Sequence, residues 1–143
     1  MRLAREIEIL QIYLRLQQTR FGAALEYAID VEPGLQRAMV PAFQLQPLVE
    51  NSFEHGFRDQ AGVARVEVVA RRIGDVLRLE VADNGACGED APRLAEKYGL
   101  GITRERLEIQ YGGAARIGFE PNRPRGLRVF VEAPYREENE IAA

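Results

Sequence analysis

The chain has 143 residues, 46% of them hydrophobic and 29% charged, which is typical of one soluble globular domain. Its 19 basic and 22 acidic residues give a net charge of −3, which excludes the basic surface expected of a nucleic-acid-binding protein. No apolar run approaches the roughly 20 residues needed to cross a bilayer, and a single cysteine, Cys87, excludes an internal disulfide. Because no signal-peptide pattern follows Met1, we expect a cytoplasmic domain.

The first 22 residues are predicted to form a helix that ends near Gly22. Its heptad seam consists of Leu3, Ile7, Leu10, Leu14, Gln17 and Phe21. A second apolar stripe consists of Ile9, Ile12, Tyr13 and Leu16. A helix that is apolar on two sides must be covered on two sides, either within one domain or by another helix. The pattern alone leaves both arrangements open.

The later elements alternate between strands and helices. In chain order we predict a strand at 25–31, a helix at 41–56, a β-hairpin within 64–85 that turns at Gly74 and Asp75, a helix starting near residue 102, and strands at 115–119 and 127–133. In the last helix, Ile102, Leu107 and Tyr111 are candidate core residues. Helices packed on a mixed, mostly antiparallel sheet form an α+β sandwich.

The segment "QLQPLVENSFEHGF" (residues 44–57) carries two helical stripes. The core-facing stripe comprises Leu45, Leu48, Val49, Ser52 and Phe53, and the opposite stripe comprises Glu50, Asn51, Glu54 and His55. Asn51 is a neutral oxygen ligand of the kind that Mg²⁺ accepts, although an exposed helix amide is the simpler interpretation. His55 has no second histidine or nearby cysteine for zinc and no evident nucleophile to activate.

Asp83 lies at the end of a row of core-facing residues. Leu77, Leu79 and Val81 share one strand face, and the period of two places Asp83 on that same face. A buried carboxylate is costly unless it is hydrogen-bonded, so Asp83 is an acceptor that needs a donor. The simpler alternative is a loop aspartate that caps backbone amides in the "DNG" turn.

Glycines occur at both ends of an irregular segment. Gly85 and Gly88 lie at its start, and Gly99, Leu100 and Gly101 lie at its end, next to the predicted helix. Glycine lets the backbone approach a ligand closely, and the amides at a helix start attract phosphate. Turns before helices are also glycine-rich for steric reasons alone.

In order, "QLQPLVENSFEHGF", "VADNGACG" and "GLGITRERLEIQYGG" resemble the N, G1 and G2 boxes of the GHKL (Bergerat-fold) ATPases. The chain is most similar to the catalytic domain of LytS/YehU-type sensor histidine kinases, whose typical patterns are "LQPLVENAxxHG", "DNGxG" and "GxGLxNxRxRLxxxYG". The resemblance covers nearly the whole chain. It implies a Bergerat-type sandwich with a linker helix from the phosphoacceptor region at 1–22, an ATP-binding domain at 23–135, and a frayed tail at 136–143.

The resemblance also assigns roles to individual residues. Asn51 would hold Mg²⁺ against the phosphates of ATP, Asp83 would accept the adenine amino group, and Gly85 would let the backbone approach the base. The remaining implied positions are Glu50, with Asn51, in the catalytic set and His55, Gly88, Gly99, Leu100 and Gly101 in the nucleotide-binding set. For Glu50 and His55 the resemblance supplies positions in the motif without a defined chemical role.

The chain departs from the family pattern in several places. "GLGITRERL" is two residues shorter than the family's "GLGLxNxRERL", Gly88 lies one place late, Glu54 replaces a lysine that many relatives carry, and the last glycine box, usually "GGT", is "RGL" at 125–127. These changes favour an alternative function, an interaction module of the same fold that does not bind nucleotide. A third hypothesis is a GHKL ATPase that dimerises on nucleotide, with Glu50 as its general base.

The family's phosphoacceptor histidine lies in a "PHFLFN"-like motif, which does not occur in this chain. The resemblance therefore implies transfer of the ATP γ-phosphate to a histidine on an upstream helix outside this chain, and then to a response regulator. We expect the isolated chain to be inactive in autophosphorylation. The parent protein is expected to be a membrane-anchored homodimer with no nucleic-acid partner.

Overall fold

The computed structural model describes residues 1–40, 45–57, 60–85 and 101–137. The first helix, α1 (Leu3–Phe21), ends at Gly22 as predicted, and Gly22 has a φ of 61°, which glycine adopts without strain. From the predicted heptad seam, Leu3, Leu10 and Leu14 are buried in the domain core. The seam is therefore covered within the domain.

The second stripe of α1 is only partly covered. Tyr13 packs against the core, whereas Ile12 and Leu16 expose 57% and 64% of their surface. Packing of these two residues against a helix outside the domain stays a prediction, as does the assignment of 1–22 as a linker. Within the predicted tail, Glu137 forms a β-bridge to Ala38, and residues 138–143 lie outside the described ranges.

The other elements, in chain order, are β1 (Leu25–Val31), α2 (Leu45–Asn51), a π-helical turn (Ser52–Gly56), β2 (Ala64–Ile73), β3 (Val76–Asp83), α3 (Gly101–Tyr111), β4 (Arg116–Pro121) and β5 (Leu127–Pro134). Strand order is β1-β2-β3-β5-β4, with β1 parallel to β2 and every other pair antiparallel. This confirms the predicted mixed, mostly antiparallel sheet. None of the described helices is long and apolar enough to cross a membrane.

One predicted element differs in its geometry. The helix expected at 41–56 is α-helical from Leu45 to Asn51 and then π-helical from Ser52, while residues 41–44 lie outside the described ranges. A π-helical turn closes i→i+5 hydrogen bonds, so it contains more residues than an α-helical turn. The geometry beyond Asn51 is therefore not α-helical, although Ser52 is buried and Phe53 packs against the core, as the predicted core-facing stripe requires.

One face of the sheet is apolar and covered by helices. Alternate residues of β2, β3 and β5 are buried, as their period-two patterns predicted. They share one core with α1, with Leu45, Leu48 and Val49 of α2, and with Leu107 of α3. Tyr111 packs partly against this core, and the side chain of Ile102 lies outside the described residues.

The other face carries a network of ion pairs across three strands. Glu132 accepts from Arg78 and Arg116 at 2.8 Å each, and Glu80 lies 3.4 Å from Arg78 and 3.7 Å from Arg128. Opposite charges on adjacent strands satisfy one another in this way. The domain is therefore a two-layer sandwich with its apolar core between the sheet and the helices.

Gly126 lies at the start of β5, directly against the end of β3. Its φ is 116°, and a Cβ at this position would overlap the carbonyl group of Asp83. Only glycine combines this backbone conformation with so close an approach. The glycine of the "RGL" sequence is therefore what allows β5 to begin beside Asp83.

We predict that Gly126→Ala lowers the free energy of unfolding by more than about 3 kcal/mol, because it adds a backbone overlap to an unfavourable φ. Gly74→Ala is the matched control: Gly74 has a φ of 61° in the hairpin turn and open space around its Cβ position. There we expect a loss of about 1–2 kcal/mol from backbone strain alone. Urea unfolding measures both, and equal losses would contradict the packing argument.

Candidate functional site

The carboxylate of Asp83 lies at the centre of the candidate site. It is 3% exposed and shares the helix-covered face of β3 with Leu77, Leu79 and Val81, as predicted. Its Oδ1 accepts hydrogen bonds from the Gly85 N–H at 2.9 Å and the Leu127 N–H at 3.3 Å, and its Oδ2 accepts one from the Ser52 hydroxyl. The capping of a backbone amide proposed as the simpler alternative is therefore present, but the side chain is buried in the core.

Ser52 is the donor to Oδ2 of Asp83, and sequence reasoning missed its role. Its hydroxyl lies 2.6 Å from that oxygen, and Ser52 is 2% exposed. The helical periodicity predicts only a core position for Ser52. One signal was available: Ser52 is the only serine in the chain and follows Asn51 directly. The π-helical turn begins at this residue, so the local geometry and the contact to Asp83 coincide.

The hydrogen bonds on Asp83 leave acceptor capacity on one defined atom. An ionised carboxylate has about four lone-pair sites, two on each oxygen. Within the described residues, the two backbone N–H groups use Oδ1, while Oδ2 receives only the Ser52 hydroxyl. Oδ2 can therefore accept one further hydrogen bond, for example from an amino group.

Burial raises the pKa of Asp83 above its ordinary value of 3.8, because the charged form loses hydration. The hydrogen bonds from Ser52, Gly85 and Leu127 lower the pKa, but by less than burial raises it. The ionised form of Asp83 is therefore a hydrogen-bond acceptor that is buried at a cost in hydration free energy. Such perturbed groups are typical of functional sites.

Asn51 and Glu50 lie immediately before Ser52, at the end of α2. Asn51 is only 7% exposed, which is not the exposed helix amide of the simpler interpretation, and its side chain forms no hydrogen bond within the described residues. Glu50 is partly buried and accepts from Gln46 at 2.9 Å. The Asn51 side chain is therefore buried next to the residue that contacts Asp83, while Glu50 has a partner on its own helix.

Aromatic packing fixes the π-helical turn against α1. The Phe53 ring lies 5.9 Å from Tyr13, 5.6 Å from Phe21 and 5.3 Å from Phe57, measured between ring centroids. The contacts to Tyr13 and Phe57 are edge-to-face, an arrangement that stabilises a packed cluster beyond the burial of area alone. Burial and then the nearby charge of Glu50, together with Glu54, raise the pKa of Tyr13 to about 12. The turn that carries Ser52 is thus held from the helix side.

Asn84 and Gly85 continue the chain beyond Asp83. Asn84 accepts the Arg65 N–H at 2.7 Å through Oδ1 and donates to the Val63 carbonyl at 2.9 Å through Nδ2. These contacts tie the "DNG" turn to the start of β2. Gly85 is buried and its N–H donates to Asp83, while its close approach to a base stays a prediction.

The other predicted site residues are described less completely. Gly101 is the first residue of α3. Gly88, Gly99 and Leu100 lie outside the described residues, as does the side chain of His55. Among the described residues, no group of three or more His, Cys, Asp or Glu side chains could hold a metal ion. A single-residue magnesium contact through Asn51 stays a prediction.

Sequence relatives of the chain are sensor histidine kinases. BtsS of Escherichia coli K12 is 32% identical over 136 residues, which is 95% of this chain and 24% of BtsS. LytS of Bacillus cereus is 36% identical over 153 residues, which is 97% of this chain and 26% of LytS. This chain therefore spans about a quarter of the length of these curated relatives. No protein-family profile matches it.

The similar solved structures are histidine kinases. The nucleotide-free catalytic domain of ThkA has a TM-score of 0.72 at 15% identity and covers 96% of both chains. ThkA in complex with the response regulator TrrA has a TM-score of 0.71 at 15% identity, over 95% of this chain and 41% of that one. Full-length ShkA in complex with AMPPNP has a TM-score of 0.67 at 19% identity, over 96% and 31%. The chain belongs to the LytS-type sensor histidine kinases.

Within this histidine kinase family, two departures from the typical pattern lie beside Asp83. Ser52 replaces the alanine of "LQPLVENAxxHG" and donates to the carboxylate. Leu127 replaces the threonine of "GGT" and contributes only its backbone N–H. A third departure, Glu54, is exposed on the π-helical turn, and its charge acts on Tyr13. The hydroxyl donor at Asp83 therefore comes from the π-helical turn that follows α2.

We predict that Ser52→Ala destabilises the domain by about 1–3 kcal/mol at pH 7, because Oδ2 of a charged, buried Asp83 loses its donor. The loss of a stabilising hydrogen bond raises the pKa of Asp83 further, so the difference from wild type should shrink as the pH falls and the carboxyl group protonates. Urea unfolding at pH 7 and near pH 4 measures this. A difference that is the same at both pH values would contradict the contact.

Proposed function

We propose that this chain is the ATP-binding catalytic domain of a two-component sensor histidine kinase. In the parent protein it would transfer the γ-phosphate of ATP to a histidine upstream of this chain, and a response regulator would receive the phosphate next. The observation that carries the proposal is the buried Asp83 carboxylate with one acceptor position left on Oδ2. The relatives' names and the ShkA complex with AMPPNP support it.

Recognition of adenine would depend on Oδ2 of Asp83. The exocyclic amino group of adenine is a hydrogen-bond donor, and Oδ2 is an acceptor whose position is fixed by Ser52. A site built to accept a hydrogen bond discriminates strongly against an analogue that lacks the donor, because its buried polar group is then left unpaired. The cost of burying Asp83 is thus consistent with a role in selecting the base.

Asn51 would contribute to binding the phosphate side of the nucleotide. Its amide is buried, forms no hydrogen bond within the described residues and lies next to the residue that contacts Asp83. An amide oxygen is a suitable ligand for Mg²⁺, which keeps most of its waters and binds phosphates at the same time. When bound, Mg²⁺ neutralises charge on the polyphosphate. Gly101 would place the N–H groups of the first turn of α3 near the phosphates, with Gly99 and Leu100 before it.

The assembly implied for the parent protein belongs to the proposal as well. The upstream phosphoacceptor helix would lead into α1, two copies would form a homodimer, and the parent would be anchored in a membrane with this domain in the cytoplasm. The complex of ThkA with TrrA is consistent with a response regulator as a partner of this fold.

We predict that Asp83→Asn abolishes most binding of an ATP analogue without unfolding the domain. Because Oδ1 receives two N–H donors, the new amide must keep its oxygen there and place its NH₂ group at the Oδ2 position. Two donors would then face each other at adenine, while the Ser52 hydroxyl can reverse and accept. We expect at least about a 100-fold loss in affinity by calorimetry with AMPPNP and Mg²⁺.

The same variant has an expected pH signature. Since burial raises the pKa of Asp83 in the folded state, its contribution to stability is fully present below 3.8 and is lost as the pH rises through the raised value. Asn cannot ionise, so the melting temperature of Asp83→Asn should rise relative to that of wild type from about pH 4 to pH 7.

For the binding experiment, equal affinity for AMPPNP in wild type and Asp83→Asn would remove Asp83 from adenine recognition.

For Asn51, we predict that Asn51→Ala removes the increase in AMPPNP affinity that Mg²⁺ gives to wild type. The affinity measured in EDTA should change much less, by no more than about threefold, because the base contacts are intact. Asn51→Asp is the matched control, since it retains an oxygen ligand. An unchanged effect of Mg²⁺ in Asn51→Ala would show that another group holds the ion.

Two further outcomes would select the other hypotheses. A wild-type chain that is folded by circular dichroism and binds no AMPPNP at millimolar concentration would be an interaction module. Steady-state ATP hydrolysis by the isolated chain that is lost in Glu50→Gln would indicate a GHKL ATPase that uses Glu50 as a base. The hydrogen bond between Gln46 and Glu50 does not favour this second outcome.

A further inference from the structure

The turn between β4 and β5 is attached to the segment that carries Asp83. The Asn122 side chain donates to the Asp83 carbonyl at 2.8 Å, and the Arg125 Nε donates to the Gly85 carbonyl at 2.8 Å. Gly126 packs directly against Asp83, and Leu127 donates to its carboxylate. This turn therefore holds both the backbone and the side chain of the loop at 83–85.

Arg125 restrains the backbone of Gly85. Gly85 has no side chain to restrict its backbone, and glycine has more accessible backbone conformations than any other residue. Its N–H is held by Oδ1 of Asp83 and its carbonyl by the guanidinium of Arg125. With both groups held, the conformation of Gly85 is defined, and Oδ1 of Asp83 keeps the donor that leaves Oδ2 available.

We infer that Arg125 is a positioning residue for adenine recognition: it fixes Gly85, and through Gly85 the orientation of the Asp83 carboxylate. The inference rests on the proposed function, because Asp83 must contact the base for its orientation to affect binding. Arg125 acts through its hydrogen bond to the Gly85 carbonyl.

The location of Arg125 separates this role from a general role in stability. Arg125 is exposed, and it lines a cleft of about 760 Å³ that also contains Glu26, Arg65 and Asp83. Glu26 and Arg65 are exposed side chains of β1 and β2, whereas the Asp83 carboxylate is buried and hydrogen-bonded to Ser52. A hydrogen bond at an exposed side chain contributes little to global stability. Its loss should therefore affect the loop at 83–85 and not the fold.

The chain offers a matched control two residues away. Arg123 is exposed in the same turn, carries the same charge, and forms no hydrogen bond or ion pair with 83–85 among the described residues. Arg123→Ala therefore changes the net charge as Arg125→Ala does, without removing the contact to Gly85. Arg125→Lys keeps the charge and one donor, so it should restore part of the effect.

The experiment compares binding of ATP and inosine triphosphate, each with Mg²⁺, by calorimetry. Inosine triphosphate carries an oxo group where ATP has the amino group that Asp83 accepts. Arg125→Ala should lower the affinity for ATP about 3- to 10-fold and change that for inosine triphosphate little, so the ratio of the two affinities falls. Arg123→Ala should keep the wild-type ratio, and the melting temperatures should agree within about 2 °C.

Amide hydrogen exchange at Gly85, followed by NMR without nucleotide, gives an independent readout. Exchange should be faster in Arg125→Ala and unchanged in Arg123→Ala. If wild type binds ATP selectively and Arg125→Ala keeps both the affinity ratio and the exchange rate, the positioning role is wrong and the proposed function stands. If wild type binds neither nucleotide, the proposed function fails, and the adenine role of Arg125 fails with it.

Discussion

The fold around the candidate site depends on one buried carboxylate. Asp83 is charged or protonated according to a balance between lost hydration, which raises its pKa, and three hydrogen bonds, which lower it. Those bonds come from three different parts of the chain: the π-helical turn, the loop after β3, and the start of β5. Ser52 and Leu127, which are far from Asp83 in sequence, therefore have to lie within hydrogen-bonding distance of its carboxylate for this side chain to be buried.

Several local features allow these hydrogen-bond donors to meet at Asp83. Gly126 has no Cβ because β5 starts against the Asp83 backbone, and the π-helical turn begins at the residue whose hydroxyl reaches Oδ2. The Phe53 cluster holds the same turn against α1 from the other side. A single-residue change in helical register would move Ser52 away from the carboxylate. The π-helical turn, the Ser52 contact to Asp83 and the Phe53 contact to Tyr13 therefore lie at adjacent positions.

The two faces of the sheet differ in how their polar side chains are satisfied. The helical face supplies a continuous apolar core with Asp83, Asn51 and Ser52 as its buried polar exceptions alongside Glu6, whose carboxylate accepts the N–H of Leu45 at the start of α2. The other face is satisfied by ion pairs between neighbouring strands, such as Arg78 with Glu132. Among the described residues, the two faces therefore satisfy their polar groups differently, by burial with hydrogen bonds on the helical side and by ion pairs on the other.

The sequence by itself determined the order and type of the elements and the buried position of Asp83, because helical and strand periodicities are local properties that the chain carries in its pattern. It also placed Asn51 and Gly85 at motif positions through the resemblance. It did not reveal the Ser52 contact, the π-helical turn or the attachment of Arg125 to Gly85. These contacts join residues separated by 31 and 40 positions, and only the tertiary structure decides such pairs, since they depend on how helix, strand and turn pack together.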